Sequence, residues 1–173
     1  LLATLTPENL KALDKEFDKV NNKFASEHKL TGTPEARRRA RLDRSLKRIR
    51  DWTGPLTREQ EERITAMSNA LPDNDHVRHA DRRRRQREFA GMLMNRQNKA
   101  EMTRALERFL TDWENGRPPD MKQSLDDSFD KRIAMYLEVD RMLNADQRVH
   151  VARTIQGYID DVKALTAVRG TGQ

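Results

Sequence analysis

An all-α bundle is the fold this sequence predicts, on three observations. Apolar residues recur at steps of three and four along most of the chain, the period of a helix with one buried stripe. No stretch alternates convincingly between apolar and polar, as a half-buried strand would. Seven Gly and six Pro among 173 residues are too few for an all-β chain, which places turns about every eight to twelve positions. The hydrophobic share is 35% and the charged share 36%, so little apolar surface is available. The bundle is expected to be thin and elongated.

Helix starts are written in one repeated cadence. In "LTREQ", Leu56 to Gln60, the Thr57 hydroxyl can accept from the Gln60 amide while the Gln60 side chain reaches back to the Thr57 amide. This is a capping box, and Glu59 adds charge complementary to the helix start. "LTPEN", Leu5 to Asn9, and "LNADQ", Leu143 to Gln147, follow it more loosely. The copies are unequally spaced, so the chain is not a solenoid. Thr33 with Pro34 and Glu35, Asn98 with Glu101, and Asp120 with Gln123 read as further starts, while Gly54-Pro55 and Gly116 with Pro118-Pro119 read as stops.

Between these marks about seven helices are expected. Leu10, Leu13, Phe17, Val20 and Phe24 mark 7–28, and Leu42, Leu46 and Ile49 mark 34–52. Two more cover 58–70 and 75–95, and Met102, Leu106, Phe109 and Trp113 mark 99–115. Leu125, Phe129, Ile133, Tyr136 and Leu137 mark 120–142, and Ala152, Ile155, Ile159 and Val162 mark 145–167. These apolar side chains are read as core. The whole is expected as a single helical domain, 1–173, with lobes 1–71 and 72–173 hinged at "LPDNDH" or "NGRPPD".

The absence of Cys excludes a disulfide framework and thiol chemistry, and no apolar run is long enough for a transmembrane helix. The chain begins at Leu1 rather than Met, which reads as a trimmed product with any signal peptide or lipid anchor upstream.

The net charge of +6 is local in origin. Residues 36–50 carry eight Lys or Arg against one acid, and 76–99 carry eight against two, together +13, leaving −7 for the rest. In "HADRRRRQREF" no apolar residue continues the stripe between Ala80 and Phe89. Such a run is either a solvated face paired with acids such as Asp126, Asp127 and Asp130, or an anion-binding face. The candidate binding residues for an acidic partner are Arg37, Arg38, Arg39, Arg41, Arg82, Arg83, Arg84, Arg85 and Arg87, with Met92 and Met94 as adaptable apolar contacts. Nucleic acid is a poorer fit, because no zinc-finger spacing, ribonucleoprotein motif or basic zipper accompanies the arginines and hardly an aromatic lies among them.

Catalysis finds little support. His76 and His79 in "DNDHVRH" could face one metal from a helical turn, but no second His pair or Cys completes the set. Asp there is expected as a surface cap. His28 and His150 have no evident carboxylate or nucleophile companion, and no Gly-rich phosphate loop is present. No catalytic residue, cofactor or enzymatic activity is expected.

The order "RRRARLDRSLKRIRDWTGPLTREQEERI", "LPD", "RRRRQREF", "LERFLTDWENG" and "YLEVDRMLNADQRVHVARTIQGYIDD" resembles the C-terminal helical part of an uncharacterised bacterial lipoprotein family. The resemblance runs from the opening "LLATLTPENL" to about Leu165. It implies a protein lipid-anchored in the Gram-negative envelope, at the outer membrane and facing the periplasm, whose anchor would lie upstream. "LTREQ" also matches the Leu-Thr-x-x-Gln motif of periplasmic chaperones of the Spy and CpxP kind, which are thin, basic helical cradles for unfolded clients. Together these imply a protein that acts by binding other envelope proteins or unfolded polypeptide, chaperone-like or as an adaptor. A purely structural spacer and a nucleic-acid-binding module are the alternatives, and oligomeric state is left open.

Overall fold

The computed structural model describes residues 2–169 apart from Asn115, and the side chains of all of these except Ala3 and 167–169. After a short 3-10 turn, Leu2–Thr4, come seven α-helices and, among the described residues, no strand. They are α1 Pro7–Glu27, α2 Pro34–Thr53, α3 Arg58–Ala70, α4 Asp75–Met94, α5 Lys99–Thr111, α6 Pro119–Met142 and α7 Ala145–Arg169. The all-α expectation holds.

The caps form as their residues dictate. Thr57 and Gln60 close a reciprocal box at α3, and Thr6 and Asn9 close one at α1. Asn144 and Gln147 do the same at α7, with Gln147 N donating to Asn144 Oδ1 at 2.9 Å and Asn144 N to Gln147 Oε1 at 3.1 Å. Beside the first two starts after the turn, the Glu8 and Glu35 carboxyls are held below the ordinary range, first by backbone amides and then by Thr6 and Thr33. Gly54 and Gly116 have φ of +78° and +75°, the left-handed turn that only Gly enters without strain. Asp120 does not cap α6, which begins one residue earlier at Pro119. α5 stops at Thr111 rather than near 115. Trp113 leaves the helix and lies beneath the Arg117 guanidinium, 4.3 Å from its ring centroid.

The chain divides into two compact units, Leu1–Ala40 with Pro72–Asp130, and Arg41–Leu71 with Lys131–Gln173. This differs from the expected division at 71/72, because α2 and α6 each contribute residues to both units.

In the first unit α4 lies against α1 and α5 through polar and aromatic contacts where the apolar stripe lapses. Asn21 Nδ2 donates to Gln86 Oε1 at 2.7 Å. The Arg82 guanidinium lies 5.1 Å from the Phe24 ring centroid and that of Arg85 3.6 Å from Phe109, cation–π contacts of about 0.5–2 kcal/mol each. Phe89 meets Phe109 in a tilted pair at 5.5 Å, and Leu93 and Met102 are buried.

The second unit has a small apolar core of Ile49, Ile64 and Val139, with Leu46, Leu56, Met67, Tyr136, Met142 and Leu143 packed around it. Several residues expected in the core are exposed instead: Trp113, Phe129, Ile133, Leu137, Ile155, Ile159 and Val162. Helical spacing identifies a stripe but not whether another element covers it.

Candidate functional site

The two basic runs divide according to what their side chains reach. Arg38, Arg39, Arg82, Arg83 and Arg87 are exposed. Arg37, Arg41, Arg84 and Arg85 are turned into the fold. Arg37 Nε donates to Asp73 Oδ2 at 2.7 Å and its Nη1 to the Gly32 carbonyl at 2.8 Å. Arg41 is buried. Arg84 lies between Asp81 at 2.9 Å and Glu88 at 3.4 Å. Arg85 Nη2 donates to the Phe109 carbonyl at 2.9 Å. The partners seen for Arg37, Arg84 and Arg85 are Asp73, Asp81, Glu88, backbone carbonyls and an aromatic ring, while Asp126 pairs with Lys122 at 2.8 Å.

Asp81 is the electrostatic centre of the first unit. It is buried and accepts from Arg84 and from Arg117, whose Nε and Nη2 lie 3.0 and 2.7 Å from Asp81 Oδ2. Burial alone would raise its carboxyl, but the hydrogen bonds from Arg117 and Arg84 and their charges outweigh this and hold it below the ordinary range. An ion pair this enclosed and this fully bonded is costly to break from one side.

His28 and His79 pack against neighbouring side chains. His76 is exposed, while His79 is half-buried and stacked over Phe24 with centroids 5.6 Å apart. Burial first, and then Arg83, Arg82 and His76, lower the His79 pKa. Asp75 is not a surface cap. It is 3% exposed, with Oδ2 3.0 Å from Nδ1 of His28, a carboxylate companion that the sequence does not reveal. His28 in turn stacks on Phe24 at 3.8 Å. No group of three His, Cys, Asp or Glu placed to hold a metal occurs among the described residues. Met92 is half-buried and Met94 exposed; Met94 lines a shallow α1–α4 cavity of about 270 Å³ with Leu10, Leu13 and Gly91.

In the second unit the repeated cadence acquires a second role. Gln60 and Gln147, both buried, form a reciprocal amide pair: Gln60 Nε2 donates to Gln147 Oε1 at 2.8 Å and Gln147 Nε2 to Gln60 Oε1 at 2.9 Å. The second donor of each amide reaches the backbone just before the other motif, Gln60 to the Met142 carbonyl and Gln147 to the Pro55 carbonyl, both at 2.8 Å. Each Gln oxygen also accepts from its own cap residue, Thr57 or Asn144. The arrangement is near two-fold in its bonding and leaves no amide donor idle. Glu would serve the capping box but could not donate, so the pairing requires Gln.

The same unit holds an apolar groove of about 390 Å³, lined by Arg48, Ile49, Trp52, Thr53, Tyr136 and Val139. Tyr158 of α7 meets Trp52 in a tilted pair at 5.5 Å. Along α7, Ile155, Tyr158, Ile159, Val162 and Leu165 are each 42–70% exposed and fall at steps of one, three and four, so they form one largely exposed stripe. On α6, Ile133 and Leu137 are exposed as well. No helix of the described residues is long and apolar enough to cross a membrane.

Fold and surfaces define a helical protein held by polar clamps, with exposed arginines and exposed apolar side chains. Residues 1–122 match the family of unknown function DUF6279, and the chain belongs to that family. No curated protein and no solved structure matches it.

Proposed function

We propose that this protein acts by binding, as a chaperone-like holder of unfolded or partly folded polypeptide in the Gram-negative envelope. In this reading it faces the periplasm and is tethered at the outer membrane by a lipid anchor upstream of the present sequence. The observation that carries the reading is the largely exposed apolar stripe of α7, Ile155 to Leu165. Contiguous exposed apolar surface of this kind characterises sites of protein contact. Exposed Arg38, Arg39, Arg82, Arg83 and Arg87 supply the attraction to acidic segments that the basic runs imply. The Leu-Thr-x-x-Gln resemblance supports the same reading, with the motif Gln60 acting as part of the scaffold rather than as a client contact.

The test is suppression of aggregation of an unfolded model client by the purified chain, titrated at low and moderate salt. Protection at near-stoichiometric ratio, reduced by changing Ile155, Ile159 and Val162 together to Ser and only partly reduced by salt, is the expected result. No protection at any ratio would refute it. Steep collapse with salt, together with binding of nucleic acid, would favour a phosphate-binding module instead.

A further inference from the structure

We infer that the groove between α2 and α6 of the second unit is a side-chain pocket for one aromatic anchor of a polypeptide, flanked in the ligand by an acidic residue. The proposal rests on the polypeptide-binding reading above and names where, and for what chemistry, that binding is selective.

The groove has the composition of an anchor pocket. Its base is Ile49 and Val139, only 3% and 6% exposed, and its walls include the rings of Trp52 and Tyr136. Thr53, the polar residue at the base, is internally satisfied, its hydroxyl donating to the Ile49 carbonyl at 2.9 Å. Nothing at the base therefore asks for a polar ligand atom, and an inserted polar group would lose its water without replacement. The volume of about 390 Å³ accommodates a single large side chain, the kind of aromatic anchor that dominates interface energetics.

The rim supplies the second element of recognition. Of the cations on this stretch of α2, Lys47 is engaged by Asp51 at 2.8 Å and Arg50 by Glu61. Arg48 is exposed, lines the groove, and has no carboxylate partner among the described residues. A guanidinium beside an apolar pocket favours a carboxylate one or two residues from the anchor. That carboxylate belongs to an internal side chain rather than to a chain terminus, because Tyr158 meets Trp52 in a tilted pair and extends the apolar surface past the pocket. A segment seated there can continue along it.

Trp52 is 41% exposed and serves as the optical reporter. In a Trp113→Phe background, its fluorescence would be titrated with three blocked peptides of equal length, carrying a central Phe flanked by Asp, by Ser or by Lys. The order expected is Asp tightest, then Ser, then Lys, with the Asp peptide favoured over the Lys peptide by about tenfold, the scale of one charge-assisted hydrogen bond. R48E should reverse that order while leaving the helical circular dichroism and thermal midpoint unchanged, since Arg48 makes no internal ion pair. Replacing the central Phe by Ser should abolish binding of all three.

Equal affinity for Asp and Lys peptides, an unchanged order in R48E, or no binding of any of the three would overturn the assignment. Client protection is scored separately on the same preparations. Protection by wild type without peptide discrimination removes the groove proposal and leaves the chaperone-like reading intact. Peptide discrimination without protection supports a selective adaptor pocket and removes general client holding.

Discussion

Replacing Gln60 and Gln147 by Ala, singly and together, tests the amide clamp most directly. The single change Gln60→Ala removes two donated bonds, to Gln147 Oε1 and the Met142 carbonyl, and two accepted ones, from Gln147 Nε2 and the Thr57 amide. Gln147 Oε1 keeps its bond from Asn144, and Gln147 Nε2 keeps the Pro55 carbonyl. The groups left without their partner are thus the Met142 carbonyl, the Thr57 amide and the Gln147 Nε2 hydrogen that faced Gln60. At about 1 kcal/mol net per bond, with a further cost for polar groups left dry, each single change should destabilise by about 2–4 kcal/mol. The two mutual bonds are lost in either single variant and cannot be lost twice, so the double variant should fall short of the sum by about 1–2 kcal/mol. Urea unfolding followed by far-UV circular dichroism, with midpoints converted through a common slope, gives the cycle. Additivity within about 0.5 kcal/mol would refute the pairing, since independent caps behave that way.

Four further outcomes follow from the first unit and from the α2 stop. Asp81 has a lowered folded pKa, so its contribution is present above the ordinary carboxylate value and lost as pH falls below it. Acid unfolding of Asp81→Asn should therefore be flatter on that limb than that of wild type, and identical slopes would deny the link. His79 also has a lowered folded pKa; the unfolded chain takes up its proton first, so stability should decline as pH drops from neutrality, and His79→Phe should lose that slope in thermal melts across the range. The change R83Q with R87Q should alter the unfolding midpoint little, whereas R84Q with R85Q should cost about 2–4 kcal/mol through the lost charge-assisted bonds to Asp81 and the Phe109 carbonyl. At Gly54, φ +78°, substitution by Ala should cost about 1–2 kcal/mol in the same urea assay.

The helices were legible because their signals are local. A Thr with Gln three residues on, a Pro at the first helical turn, and a Gly that enters a left-handed turn each act within one or two turns of chain. What was not legible depends on contacts distant in sequence. Trp113 reads as the last apolar step of α5, yet it lies past the helix end beneath Arg117, which reaches Asp81 across 36 positions. His28 shows no companion along the chain because Asp75 arrives from another helix. Gln60 and Gln147 each read as one half of a cap, and only folding brings together amides 87 positions apart. The choice of Gln over Glu at both positions was the available hint, since a cap alone accepts either. The arginine runs carried no mark separating inward from outward members; the separation depends on where Phe24, Phe109 and Asp81 lie in space.

Polar clamps and exposed apolar residues have a common physical basis. Among the described residues, eight hydrophobic side chains are buried and thirteen large ones are exposed, so the chain does not use all the apolar surface it owns for its own cohesion. It holds its parts together with directional contacts instead: Asn21 with Gln86, Gln60 with Gln147, and Arg117 of the α5–α6 connection on Asp81 of α4. Such contacts specify one arrangement of helices because each donor has one acceptor within reach, whereas apolar contacts are tolerant of slippage. Removing the large apolar side chains of α7 should accordingly leave the fold in place and abolish client protection, while removing a clamp should disturb the fold with the α7 stripe still chemically intact. Residues that lose function without losing stability would then lie on the stripe and in the groove, and residues that lose both would lie at the clamps. A purely structural spacer would show no such separation.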